Sequence, residues 1–157
     1  SHDGRGLLGT VVGADGAGAG LSAIAAGGTR EPASAETVAG KRHALKVQGQ
    51  EVFKAGVRSM AGALKDVLAK CGVNKDDVAL LVPHQANKRI IDAVAESVGF
   101  PPERVFVNLE RYGNTSAATI PVALHEAVAQ GRLKRGDLVA MVAFGGGLTW
   151  GSALMRW

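Results

Sequence analysis

Apolar residues recur along this chain with two distinct periods, and the segments they mark predict its elements. Phe53, Val57, Met60, Leu64, Leu68 and Cys71 fall on one stripe at helical spacing, predicting a helix over 51–71 that Gly72 ends with a left-handed stop. Ile90, Ile91, Val94 and Val98 repeat the pattern, with Arg89, Asp92 and Glu96 turned elsewhere, until Gly99-Phe100-Pro101-Pro102 halts the run. Val122, Leu124, Ala127 and Val128 predict a third helix over 117–130, with Pro121 in its first turn or kinking it. Residues 78–82 are continuously apolar, as suits a strand buried on both faces. Shorter runs predict strands at 7–12, 104–109 and 138–144, and 148–157 alternates as a returning antiparallel strand would.

The order strand–helix–strand–helix–strand builds parallel pairs through right-handed crossovers. The expected architecture is α/β, one domain over 1–157 with a mixed, mostly parallel sheet and helices packed on it. Residues 13–28 are glycine-rich around a short apolar patch and read as a loop or hairpin. Within them Gly16-Ala17-Gly18-Ala19-Gly20 lacks the strand–helix context and the lysine of a phosphate loop. Residues 29–46 are polar and mixed, a surface segment with at most one short helix. This topology has a geometric consequence. His84, Asn114 and Gly145-Gly146-Gly147 each follow a predicted strand, so they are expected at one edge of one sheet, where open α/β sheets bind ligands.

Composition narrows the function classes. At 157 residues the chain can bury a sizeable core. The net charge of +4 is scattered among acids, and a single tyrosine is present to stack on bases. That argues against nucleic acid and for a mild attraction to an acidic partner. Cys71 is the one cysteine, which excludes an intrachain disulfide and a zinc-type cysteine pair and fits a reducing compartment. No run is long enough for a membrane span and no signal-peptide pattern opens the chain, so the cytoplasm is the expected location. The chain starts at Ser1 without an initiator methionine, as a piece processed or cut from something longer would.

His84 stands where a strand ends and a helix is about to begin. The helix N-terminus disfavours imidazolium and keeps a neutral ring able to donate one hydrogen bond. Position alone leaves open whether it serves a ligand or caps its own loop. With Asn114 it makes a donor pair that can serve one oxygen, an arrangement that stabilises an oxyanion or enolate. Glycines at 145–147 let backbone N–H groups face a ligand with no Cβ in the way. Metal binding is disfavoured, because His84 has no carboxylate or second histidine at ligand spacing. Ser116 lacks the Gly-x-Ser-x-Gly setting of a triad nucleophile. His2, His43 and His125 read as terminal or surface residues, and Cys71 as a buried structural thiol. Lys54, Arg58 and Lys65 line another side of the long helix, a row that is solvated surface unless something docks there.

Three stretches carry a family resemblance: Val82-Pro83-His84-Gln85-Ala86-Asn87, Gly113-Asn114-Thr115-Ser116-Ala117-Ala118, and Phe144-Gly145-Gly146-Gly147-Leu148-Thr149-Trp150-Gly151. In this order and spacing they resemble β-ketoacyl-acyl-carrier-protein synthase III, the thiolase-fold enzyme that initiates type II fatty-acid synthesis. The likeness covers essentially the whole chain but only the C-terminal half of that enzyme. It implies that a cysteine of the other half takes an acyl group, usually acetyl, from acyl-coenzyme A, and that malonyl-carrier protein then decarboxylates and attacks it. By this resemblance His84 and Asn114 serve the enolate, Gly146 lends backbone support to the thioester oxyanion and Phe144 packs against the site. Gln85, Ala86, Asn87, Lys88 and Arg89 would lie on the acyl-carrier-protein surface, with Lys54 contributing. The implied partners are the acyl carrier protein, acyl-coenzyme A as substrate, the N-terminal half and a second copy in a homodimer, with no bound cofactor, no metal, no nucleic acid and no membrane. Gln50 stands where many members carry asparagine, a departure that bears on the coenzyme A contact there. Two other readings share these residues: a polyketide- or quinolone-type ketosynthase of the same fold, and a non-catalytic carrier-binding subunit.

Overall fold

The computed structural model describes residues 4–157; His2 lies outside them. Strand β1 (Gly6–Ala14) opens the main sheet, and a 3₁₀ turn (Gly16–Leu21) follows it. Strand β2 (Ser22–Ile24), helix α1 (Ala35–Ala39) and strand β3 (Leu45–Val47) come next. The pair β2–β3 forms a separate two-stranded antiparallel sheet, so β2 finds its partner beyond the 13–28 stretch where a hairpin is expected.

Helix α2 (Gly49–Cys71) starts two residues earlier than predicted and stops as predicted, with Gly72 at φ 64. Its predicted stripe is only partly the buried one. Met60, Leu64 and Leu68 are buried together with Ala61, Ala63 and Val67, whereas Phe53, Val57 and Cys71 are half-buried. Strand β4 (Val78–Pro83) leads to helix α3 (Lys88–Val98), which Asn87 caps by accepting the Arg89 N–H and Gly99 (φ 79) ends. After the single turn α4 (Leu109–Tyr112) comes α5 (Thr119–Ala129), with Pro121 in its first turn, where its missing N–H costs nothing. Its buried positions are Thr119, Ala123 and Ala127, while Val128 is exposed. Strands β5 (Leu138–Gly145) and β6 (Thr149–Arg156) close the chain as an antiparallel pair.

The main sheet runs β1-β6-β5-β4. It is mixed, as expected, but among the described residues only β4–β5 is a parallel ladder; β5–β6 and β6–β1 are antiparallel. The balance differs because 104–109 is not a strand. Pro101-Pro102 starts a 3₁₀ turn (Pro102–Arg104), leaving Val105 alone to bridge Leu81 before the chain turns into α4. Helix α2 lies over β1, β5 and β6 and against α3. Met60, Leu64 and Val67 meet Ile91 and Val94 there, over Leu81, Val142 and Leu154. On the opposite face Ala123 and Ala127 pack with Leu80, Val82 and Val139. Each fully buried aliphatic side chain contributes about 1.5–3 kcal/mol relative to exposure. Strand β4 is therefore covered on both faces, as its continuous apolar run predicts.

Candidate active site

His84 extends the β4 ladder by one bond, its N–H donating to Val142 O at 2.7 Å. Its ring Nδ1 lies 2.6 Å from Oγ1 of Thr119, a buried residue in the first turn of α5. Burial pushes the imidazole pKa below its ordinary 6.5, so the ring is neutral at pH 7. Neutrality is thus as expected, but desolvation causes it rather than the helix terminus: α3 begins four residues on, at Lys88.

Asn114 reaches the same place by a different route from the predicted strand end. Gly113 turns the chain with φ 65, and Asn114 Oδ1 then accepts the Ser116 N–H at 2.9 Å. With its oxygen so held, Asn114 lines the cleft. The turn before it is clamped from two sides. Gln85, buried below β4, donates to Pro83 O (2.8 Å) and Phe106 O (3.2 Å) and accepts the Asn108 N–H (3.1 Å). Glu126 of α5 accepts from Asn108 Nδ2 (2.8 Å), Arg111 (2.5 Å) and the Tyr112 hydroxyl (2.6 Å). These bonds, the Tyr112 bond foremost, hold the Glu126 carboxyl below its usual range.

His84, Asn114, Phe144 and Gly146 line one cleft of about 610 Å³, with Ala86, Ile90 and Trp150 in its walls. The sequence-predicted constellation therefore comes together. Nothing lies within 4 Å of where a Cβ on Gly146 would be, so its backbone is open to approach. Gly147 has φ +135, a conformation L side chains rarely adopt. Phe144 packs on α2 at Gly56, where a Cβ would come within 3.3 Å of its ring. A second groove of about 640 Å³, lined by Gln50, Phe53, Lys54, Asn87 and Arg89, shares Val52 and Ile90 with the cleft.

The residues expected on a docking surface divide. Gln85 is 1% exposed and internally bonded, so it belongs to the scaffold and not to the surface; its two amide donors and its acceptor are all used inside. Ala86 lines the cleft, Asn87 caps α3, and Lys88 pairs with Asp92 one turn along. Exposed Arg89 lies over the Phe53 ring at 5.6 Å, and exposed Lys54 pairs with Glu51 at 2.9 Å. Arg58 and Lys65 are exposed as well. Cys71 is half-buried against the α2–α3 core and does not line the cleft. His125 is exposed, whereas His43 is half-buried with Nε2 2.9 Å from Thr37 Oγ1, not a plain surface residue.

Sequence reasoning missed Thr119, Ser116's backbone role, Glu126 and Gly56. Two of them left a signal. A hydroxyl two residues before Pro121 at a helix start, and a glycine inside a strong helical pattern, both ask for a partner.

A half-domain of this topology, with a neutral imidazole and a carboxamide over a glycine hairpin, has the thiolase fold of the condensing enzymes. Its match to the crystal structure of 3-oxoacyl-[acyl-carrier-protein] synthase III from Aquifex aeolicus has a TM-score of 0.85 at 45% identity, covering 100% of this chain and 46% of that one. A β-ketoacyl-[acyl-carrier-protein] synthase III structure from Thermus thermophilus also has a TM-score of 0.85, at 44% identity over 99% of this chain and 47% of that one. The chain belongs to the 3-oxoacyl-[acyl-carrier-protein (ACP)] synthase III family, whose C-terminal profile matches residues 68–157. It is 54% identical over 157 residues to a β-ketoacyl-[acyl-carrier-protein] synthase III of Roseiflexus castenholzii, all of this chain against 48% of the relative. The chain spans about half the length of the curated relatives it matches.

Proposed function

We propose that this chain supplies the decarboxylation side of a β-ketoacyl-acyl-carrier-protein synthase III, which condenses acyl-coenzyme A, typically acetyl-coenzyme A, with malonyl-acyl-carrier-protein. The observation that carries this reading is the meeting of His84 and Asn114 in one cleft beside the open Gly146 backbone. The nucleophile is a cysteine of the enzyme's other half, since Cys71 lies off the cleft. That thiolate attacks the acyl thioester and expels coenzyme A as the thiolate, which takes up a proton from solvent, with Gly146 N–H facing the oxyanion. Malonyl-carrier protein then loses carbon dioxide, and the electron pair of the broken C–C bond moves into its thioester. The enolate oxygen so formed accepts hydrogen bonds from the His84 ring and the Asn114 carboxamide. The enolate carbon attacks the acyl-enzyme, and the cysteine thiolate leaves. The electron pair released with carbon dioxide ends in the new C–C bond, so the cycle involves no net oxidation or reduction.

The second groove suits the arriving carrier and the coenzyme A arm. Arg89, Lys54 and Asn87 give its rim a positive and polar character that complements an acidic protein, and Gln50 lines the same groove. Exposed Leu7, Leu8 and Val12 on the edge strand β1 form an apolar strip that the remaining half of the enzyme is proposed to cover. The assembled enzyme is read as a homodimer of the cytoplasm; among the described residues no helix is long and apolar enough to cross a membrane. The test is to co-express this chain with a cysteine-bearing N-terminal half and assay β-ketoacyl formation after gel filtration. Copurification with activity is expected. Condensation by the isolated chain would overturn the half-enzyme reading.

A further inference from the structure

The loop that carries Asn114 also holds His84, and it does so through one residue. The Ser116 N–H donates to Asn114 Oδ1, and the Ser116 carbonyl oxygen lies 3.0 Å from Thr119 Oγ1. The same Thr119 oxygen lies 2.6 Å from His84 Nδ1. Ser116 has φ 54, a left-handed conformation that non-glycine residues adopt uncommonly. The N–H and the carbonyl of Ser116, in the two peptide units that flank its Cα, thus face Asn114 and Thr119 respectively.

The Thr119 hydroxyl has one proton and two acceptors within reach, and the choice between them decides what His84 can do. A neutral imidazole carries one N–H. If the Thr119 proton rests on the Ser116 carbonyl, Nδ1 must be the donor to Oγ1, and Nε2 presents only a lone pair. If the proton goes to Nδ1, Nε2 carries the N–H. The His84 contact is the shorter of the two, and Thr119 is 3% exposed, so water does not compete for its hydroxyl.

We propose that Thr119 is the positioning residue of the cleft: its hydroxyl donates to His84 Nδ1 and thereby fixes the Nε2–H tautomer, a donor toward the substrate oxygen. The use of that donor rests on the condensing-enzyme reading; the tautomer does not. Ser116 holds the Asn114 arm through its N–H, and its carbonyl is the competing acceptor for the Thr119 proton.

The test uses the complete enzyme with ring-¹⁵N-labelled histidine, comparing the unaltered protein with Thr119→Val, Thr119→Ala and Thr119→Ser. The His84 signals are assigned by their loss in His84→Ala, and long-range ¹⁵N–¹H spectra tell Nδ1–H from Nε2–H. The Nε2–H form is expected in the unaltered protein and in Thr119→Ser. In Thr119→Val and Thr119→Ala the Nδ1–H form should gain population. With it, kcat for malonyl-thioester decarboxylation should fall roughly 10- to 100-fold, the range for removing the orienting partner of a functional histidine. KM should change little, and Thr119→Ser should restore the rate. An Nδ1–H tautomer in the unaltered protein overturns the proposal, as does an unchanged tautomer in the valine and alanine variants. If the tautomer moves as expected but the unaltered enzyme decarboxylates nothing, the condensing reading fails and the assignment of Thr119 stands.

Discussion

The Gln85 side chain accepts the backbone N–H of Asn108 at 3.1 Å, so the end of β4 and the turn leading to Asn114 are joined by one buried amide. His84 and Asn114 sit 30 positions apart in the chain, and this bond is one of the two clamps that hold their backbones together.

Gln85→Leu keeps most of the volume and removes all three bonds. Pro83 O, Phe106 O and the Asn108 N–H would then be buried without this partner, each at a cost of about 1–3 kcal/mol before relaxation. Urea unfolding of the complete enzyme should show a loss of roughly 2–4 kcal/mol. A surface position of the kind the sequence suggested would change stability by less than about 0.5 kcal/mol.

Glu126 makes acid stability depend on the other clamp. Its folded pKa is lowered, chiefly by the Tyr112 hydroxyl, so its contribution is present above the ordinary value of 4.5 and is lost as pH falls through the lower folded value. Glu126→Gln should flatten the stability–pH curve in that acid window. The Tyr112 phenol, raised by the same bond, should titrate at lower pH in this variant. An unchanged acid limb in denaturation curves would remove Glu126 from the clamp.

In the assembled enzyme, His84→Ala and Asn114→Ala should each slow decarboxylation by about 10²–10³-fold, the usual effect of deleting one oxyanion donor. Acyl transfer onto the nucleophile should survive, since it relies on the other half. Radiolabelled-acyl assays that lose both partial reactions equally would count against this division. The lowered pKa of His84 adds a sign. The buried neutral ring favours folding above the unfolded value of 6.5, and this contribution is lost as pH falls below it. His84→Ala should therefore reduce the loss of stability on acidification below pH 6.5.

Arg89→Glu should raise the apparent KM for malonyl-carrier protein more than that for acyl-coenzyme A, and added salt should shrink the effect. Lys54→Glu should act more weakly, because Glu51 already pairs with that ammonium. Unchanged carrier kinetics at low salt would return both residues to plain solvated surface.

Cys71→Ser should leave condensation nearly untouched and cost at most a modest amount of stability, since the thiol packs beside the core away from the cleft. Acyl label recovered on Cys71 after exposure to acyl-coenzyme A would reverse the assignment of the nucleophile.

The sequence by itself determined the elements whose signals are local. Helical spacing and Gly72 set α2, the run at 78–82 set a strand covered on both faces, and Gly99 ended α3. The histidine, asparagine and glycine motifs were legible because their chemistry resides in residue type, and the cleft contains all three. Only the tertiary structure decided the rest. The apolar run at 104–109 resembled a strand, yet Pro101-Pro102 and the Gln85 amide took its pairing away, and no local pattern records a partner 23 positions distant. Gln85 was expected at the carrier surface by the family resemblance, and it is buried because three backbone groups of two distant segments converge on it. Thr119 and Glu126 acquire their roles from α5 packing beside the Asn114 turn. Hydrogen bonds across such separations are fixed by packing, which sequence periodicity encodes only as burial.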